Sequence, residues 1–142
     1  VYANRSAKQV DFPAEQMDLH DAVGAADVVV LATPGGAETR HLIDEATLSA
    51  MQPHAILVNI SRGDVVDEAA LVQALQAGKI AGAGLDVYEF EPAVPEALKQ
   101  MENVTLLPHL GTAALEVRED MGRMALDNVI AFAESRDLPN RV

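Results

Sequence analysis

Four short runs of Val, Ile, Leu and small residues punctuate the chain: "DVVVLAT" (27–33), "AILVNI" (55–60), "IAGAGLDV" (80–87) and "VTLLP" (104–108). Three are continuously apolar and the third is small and apolar throughout. Strands with one wet face alternate apolar and polar residues, so unbroken runs predict strands of a parallel sheet covered on both faces. Helical spacing fills the gaps between them. "PAEQMDLHDAVGAAD" has Pro13 suited to a first turn, with Met17, Leu19 and Val23 on an imperfect apolar face. "DEATLSAM" offers Asp44 as an N-cap for one or two turns that stop near Pro53. "DEAALVQALQAGK" sets Leu71 and Leu75 four apart behind an Asp67 N-cap, and Gly78 stands where a left-handed C-terminal residue belongs. Residues 88–103 carry Pro92 and Pro95 and predict a long loop with one turn over 96–101. After Gly111, Thr112 can cap a helix reaching about Ser135, with Val117, Met121, Met124 and Val129 along one side. Strands alternating with helices imply right-handed crossovers and an open, doubly wound α/β sheet.

Composition narrows what such a sheet can do. The 142 residues suit one ordinary domain, and 49% hydrophobic with 23% charged residues is a globular balance. A formal net charge of −12 argues against nucleic acid or an anionic membrane surface as partner, since both need clustered Lys and Arg. An anionic substrate therefore needs a local cation. With no cysteine there is no disulfide, thiolate nucleophile or Cys-ligated zinc, which is compatible with a reducing cytosol. No apolar run approaches the roughly 20 residues of a membrane helix, and no signal-peptide pattern opens the chain. It opens instead on "VYANRS", without Met, like the end of a strand entering a turn, and we expect sequence upstream of it.

Ligands of open α/β sheets bind beyond the carboxyl ends of the strands, so polar residues there call for explanation. "TPGG" follows the first run, "SRGD" the second, "DVYEFEP" the third and "HLGT" the fourth. Each residue has a bland reading beside a functional one. Arg62, before the permissive Gly63, is either a surface ion pair or a functional residue. His109, between Pro108 and Gly111, is either a satisfied half-buried histidine or a functional one. Asp86 is a common turn former, and Glu91 before Pro92 is ordinarily solvated. Their joint placement at one sheet edge favours function.

Other motifs fail on context. "GAG" at 82–84 lies inside a strand pattern, lacks the final glycine and opens no helix, so it is no dinucleotide fingerprint. Small residues there allow a helix or cofactor ring to pack closely on the strand. His20, His41 and His54 have no metal-ligand spacing, and no metal site is expected. Neither Ser61 nor Ser135 sits in a nucleophile elbow.

"VNISRGDVVDEAALVQALQAGKIAGAGLDVYEFEP", followed by "NVTLLPHLGTAALEVRE", closely resembles the D-isomer-specific 2-hydroxyacid dehydrogenases, above all their glyoxylate and hydroxypyruvate reductase branch. The resemblance runs from "ETRHLID" to the last helix. It implies a Rossmann-type oxidoreductase that reduces a small 2-oxo acid with NAD(P)H. By the same resemblance Arg62 grips the substrate carboxylate and polarises its carbonyl, a task suited to a planar, permanently charged fork. Glu91 pairs with His109 and favours its protonated form, and His109 is the general acid that protonates the carbonyl oxygen. Asp86 orients the nicotinamide, Ile60, Ser61, Arg62, His109, Gly111 and Thr112 line the same pocket, and Thr33 and Pro34 lie against the cofactor. Where relatives carry an acidic residue for the adenosine ribose, this chain reads Asn4, Arg5 and Ser6. Arg5 and Ser6 could hold a 2'-phosphate, which favours NADP over NAD; the alternative is a solvated turn.

The family's glycine-rich phosphate turn and most of its substrate domain lie upstream of the matching segment. The expected division is a partial dinucleotide-binding domain over 1–111 and, over 112–142, a helix and tail that pack back on the substrate domain. A cytoplasmic homodimer is the family pattern. A fragment of this kind should bind cofactor weakly and turn over little alone. Relatives that act as dinucleotide-sensing corepressors keep the same trio, so a protein-binding module is the alternative.

Overall fold

The computed structural model describes residues 1–141, which form two compact units, 1–108 and a second that starts at His109. In the first unit the chain runs α1 (Leu19–Ala25), β1 (Val28–Leu31), α2 (Glu45–Ala50), β2 (Ile56–Asn59), a short 3-10 turn (Gly63–Val65), α3 (Glu68–Gln76), β3 (Gly82–Leu85), α4 (Glu96–Lys99) and β4 (Val104–Leu106). The four strands are parallel in the order β1-β2-β3-β4, with Val28 opposite Ile56 and Ile56 opposite Gly82. This is a Rossmann-like α/β fold.

Local chemistry starts and stops the helices. The Asp44 carboxylate accepts from the Thr47 N–H, and Asp67 does the same for Ala70. Bonds from the Thr47 backbone and hydroxyl hold the Asp44 carboxyl below the usual carboxylate range. After α3 the chain turns at Gly78, whose φ is 64°. The expected helix from Pro13 is not formed until Leu19, with Asp18 at the N-cap. The preceding residues are extended because Tyr2 takes their backbone bonds: Tyr2 N–H donates to Glu15 O at 2.9 Å and Met17 N–H to Tyr2 O at 3.0 Å.

A sheet laid down in sequential order with right-handed crossovers places every connecting helix on the same face. Val29, Leu31, Leu57, Ala83 and Leu85 point into that core, against Val23, Leu48, Leu71, Leu75 and Leu98. The opposite face is open: Val28 is 52% exposed, Val30 56% and Ile56 42%. The runs are thus continuously apolar, as read, and among the described residues of the first unit the helices cover one side of the sheet. Ala83 of β3 packs in that core as a small residue under the helices, and Gly82 meets a close neighbour besides. A Cβ on Gly82 would come within 2.5 Å of the Asn103 carbonyl leading into β4.

The second unit is dominated by α5 (Leu115–Ala133). Its N-cap is Ala114, not Thr112, because residues 110–113 close a turn of their own through Ala113 N–H to Leu110 O at 2.9 Å. Val117, Met121, Met124 and Val129 are all exposed, and Ala131 is the helix's buried residue. No helix among the described residues is long and apolar enough to cross a membrane.

Candidate active site

At the carboxyl edge of the sheet the ladder continues past the strands. Ile60 N–H donates to Leu31 O at 3.3 Å, Asp86 N–H to Asn59 O at 3.0 Å and Leu107 N–H to Leu85 O at 2.8 Å. These bonds hold the residues that follow β2, β3 and β4 in fixed register.

Arg62 is set by a turn that Asn59 builds. Asn59 is 1% exposed, and its Oδ1 accepts from the Ser61 N–H at 3.0 Å and the Ser61 hydroxyl at 2.8 Å. Its Nδ2 donates to the Arg62 carbonyl at 3.0 Å. Buried polar atoms are costly unless bonded, so one side chain satisfying three groups gives the turn a single shape. The Arg62 guanidinium donates back to Ser61 O at 2.7 Å, and the residue as a whole is exposed. A cation is therefore presented at the sheet edge of an otherwise acidic chain.

Gly63 explains how the turn meets its neighbour. A Cβ there would lie 1.9 Å from the Tyr88 carbonyl carbon and oxygen, so only glycine lets the two backbones touch. From the first loop, Gly35 approaches Arg62 so closely that a Cβ would fall 2.8 Å from Arg62 Cγ. The "SRGD" segment thus touches both "TPGG" and "DVYEFEP", which brings Arg62, Thr33, Pro34, Asp86 and Glu91 to one region of the first unit. Asp86 is buried. Glu91 accepts the Tyr88 N–H on Oε1 at 3.0 Å. The Tyr88 hydroxyl donates to Leu107 O at 2.8 Å, and burial with the nearby Asp86 charge pushes its pKa up, so it remains a donor.

His109 opens the second unit with φ at 55°, a left-handed conformation rare outside glycine though commoner for histidine than for most residues. Gly111 and Thr112 follow it there, exposed. Of the nucleotide-end residues, Asn4 donates to Ser6 O at 3.0 Å and Arg5 pairs with Glu38 at 2.5 Å, both partners exposed. Ile60 is 57% exposed and Ser61 is buried with its hydroxyl taken by Asn59.

Sequence reasoning passed over several residues that shape this edge. Asn59 could have been found as the one polar residue in "AILVNI". Tyr88 and Glu89 stand inside a quoted segment without an assigned task. His41, considered only as a metal ligand, meets Glu89 Oε1 through Nε2 at 2.7 Å, a partnership no local spacing reveals. A cleft of about 660 Å³ lies by α3 and the 88–97 loop and does not include Arg62.

The profile of the "D-isomer specific 2-hydroxyacid dehydrogenase, NAD binding domain" matches residues 1–111. The chain belongs to this family. Glyoxylate reductase from Thermococcus litoralis is 44% identical over 100% of the chain, and that from Pyrococcus furiosus 45%. The solved structure of an NADPH-dependent glyoxylate/hydroxypyruvate reductase from Sinorhizobium meliloti, in complex with NADP and malonate, superposes with a TM-score of 0.95 at 40% identity. That match covers 99% of this chain and 44% of the other. The chain likewise spans 44% of the Thermococcus relative, less than half its length.

Proposed function

We propose that this chain is the cofactor-side part of a reductase that converts a small 2-oxo acid, glyoxylate or hydroxypyruvate, into the D-2-hydroxy acid with NADPH. The observation that carries the reading is the exposed Arg62 on a turn that Gly63 presses against the segment bearing Glu91, in a chain 44% identical throughout to a glyoxylate reductase.

The residues fit a nicotinamide cofactor. Buried Asp86 at the end of β3 supplies an acceptor for a carboxamide, and exposed Ile60 supplies an apolar face beside it. When bound, the reduced nicotinamide supplies the hydride. Arg62 holds the substrate carboxylate through two parallel bonds and draws charge toward the carbonyl oxygen. His109 delivers a proton to that oxygen, and Glu91 takes the role that the family pattern assigns to its carboxylate. Positioned acid catalysis of this sort contributes on the order of a hundredfold to ten-thousandfold. Ser61, Thr33 and Pro34 lie on the cofactor side of the first unit's sheet edge, and Gly111 and Thr112 keep the cofactor-binding role that the family pattern gives them. Arg5 exchanges its exposed pairing with Glu38 for the 2'-phosphate of NADP, assisted by Asn4 and Ser6; surface pairs of this kind hold by less than about 1 kcal/mol and yield readily. Residues 112–142 pack on a substrate domain, and the whole enzyme works as a cytoplasmic homodimer.

The test is oxidation of NADPH and NADH with glyoxylate, followed by the absorbance of the reduced nicotinamide. Two proteins are compared: this chain, and a joined polypeptide in which the upstream half of a glyoxylate reductase relative precedes Val1. Turnover in the joined polypeptide, faster with NADPH and lost in His109→Ala, is the expected result. Cofactor binding without turnover in the joined polypeptide overturns the reading in favour of a dinucleotide sensor.

A further inference from the structure

Below the Arg62 turn lies a second polar cluster that the reaction does not use. The Glu89 side chain is 5% exposed, yet it carries a carboxylate. Its Oε1 meets Arg40 Nη2 at 3.1 Å and His41 Nε2 at 2.7 Å, both from the connection between β1 and α2. Its Oε2 accepts the Glu68 N–H at the start of α3, and the Glu89 N–H returns a bond to Glu68 Oε2, each at 3.4 Å. His41 also lies 3.9 Å from Asp67, and its own N–H donates to Asp64 O at 2.8 Å. Its φ is 50°. A histidine in that conformation costs on the order of 1 kcal/mol or more and persists where surrounding bonds over-determine it.

A buried carboxylate is a poor route to stability, because its desolvation offsets most of what its partners return. What it does well is enforce one arrangement. Glu89 is fastened on both sides of its Cα, by side chain and by backbone. The peptide joining it to Tyr88 is the surface against which Gly63 packs, and the Tyr88 N–H is the donor to Glu91. The Tyr88 hydroxyl holds Leu107, two residues before His109. One short segment thus carries the contact to Gly63, the bond to Glu91 and a tie to the end of β4.

We propose that Glu89 is a positioning residue, clamped by His41 and Arg40 so that the Tyr88–Glu91 segment presents the Glu91 carboxylate in a single orientation beside the Arg62 turn. It touches neither substrate nor cofactor and acts through Tyr88 and Glu91. The kinetic part of this inference rests on the role given to Glu91 above; the structural part does not.

The Tyr88 amide is the reporter, read by proton–nitrogen NMR on the full chain. Its bond to a carboxylate moves the amide proton downfield, and Glu91→Gln, which leaves a neutral acceptor, moves it back. Glu89→Gln and His41→Leu should shift it in that same direction and speed its hydrogen exchange by at least about tenfold. His41→Gln, which keeps a side-chain donor toward Glu89, should stay near the native position. A Tyr88 amide unmoved in Glu89→Gln and His41→Leu, but moved in Glu91→Gln, overturns the proposal. If Glu89→Gln does not fold, the two His41 variants decide alone. In the joined polypeptide, Glu89→Gln should lower kcat about tenfold with KM for glyoxylate unchanged, the pattern of an interaction that matters after binding. A Glu91→Gln variant with native turnover refutes the role of Glu91 instead, and leaves the NMR result standing.

Discussion

Around Arg62, nearly every neighbouring group is fixed by the chain itself: Asn59 bonds the turn from below, Gly63 seats on the Tyr88 carbonyl and Glu89 is fastened by His41, Arg40 and Glu68. Along α5 the reverse holds. Leu115 is 72% exposed, Val129 64% and Phe132 77%, and the helix begins without a side-chain cap. The first region is polar, small in area and over-determined; the second is apolar and gains little from burial in the described residues. Precision at a site comes from bonded polar groups with one solution, whereas apolar surface yields stability only when something covers it.

The largest expected break of this contrast is Gly63→Ala. A methyl group cannot sit 1.9 Å from a backbone carbonyl, so either the Arg62 turn or the Tyr88 segment must move. Overpacking against backbone should cost about 3 kcal/mol, measured by urea unfolding, and it should abolish turnover in the joined polypeptide. Leu57→Ala, at a fully buried site in the middle of the sheet, should cost about 3 kcal/mol, while Val129→Ala in α5 should stay within about 0.5 kcal/mol. Equal losses at the two positions would show that α5 is covered in solution. Asp67→Ala removes the cap of α3 and should cost about 1 kcal/mol in the same assay.

The smallest effect is also the most diagnostic of the polar cluster. Burial and the neighbouring Glu89 charge raise the pKa of Glu68 above its ordinary value. A carboxyl with a raised folded pKa is held more easily protonated than ionised. Its contribution is therefore fully present below the ordinary glutamate range and is lost as pH rises through the folded value. Glu68→Gln removes that loss, so it should raise the melting temperature at about pH 8 and change little at about pH 4. An equal shift at both pH values would mean that Glu68 is not strained by its charge.

Much of this was readable in the chain, and the misses have physical causes. The β1, β2, β3 and β4 runs, the Asp44 and Asp67 caps and the stop at Gly78 are local signals, and each was recovered. Pro13 misled because helix-like spacing at Met17 and Leu19 lost to backbone bonds with Tyr2, a partner far along the chain. Thr112 misled because a turn at 110–113 intervenes before α5. Unbroken apolar runs implied two covered faces, whereas sequential strand order puts all of this chain's crossover helices on one. The position of Arg62, Asp86 and Glu91 at the sheet edge was legible because strand ends are where polar residues need a reason. His41 and Glu89 were not, since a bond between residues 48 apart leaves no periodic trace, whereas Asn59 makes local bonds and was passed over although it is the one polar residue of its run.

The most direct measurement is the steady-state kinetics of Arg62→Lys in the joined polypeptide, with glyoxylate varied at saturating NADPH. Lysine keeps the charge but not the planar fork, and losing one charge-assisted bond costs about 1.5 to 3 kcal/mol. The expected result is a fall in kcat/KM for glyoxylate of roughly tenfold to a hundredfold with the affinity for NADPH unchanged. Native kcat/KM in Arg62→Lys would contradict a substrate grip at the end of β2.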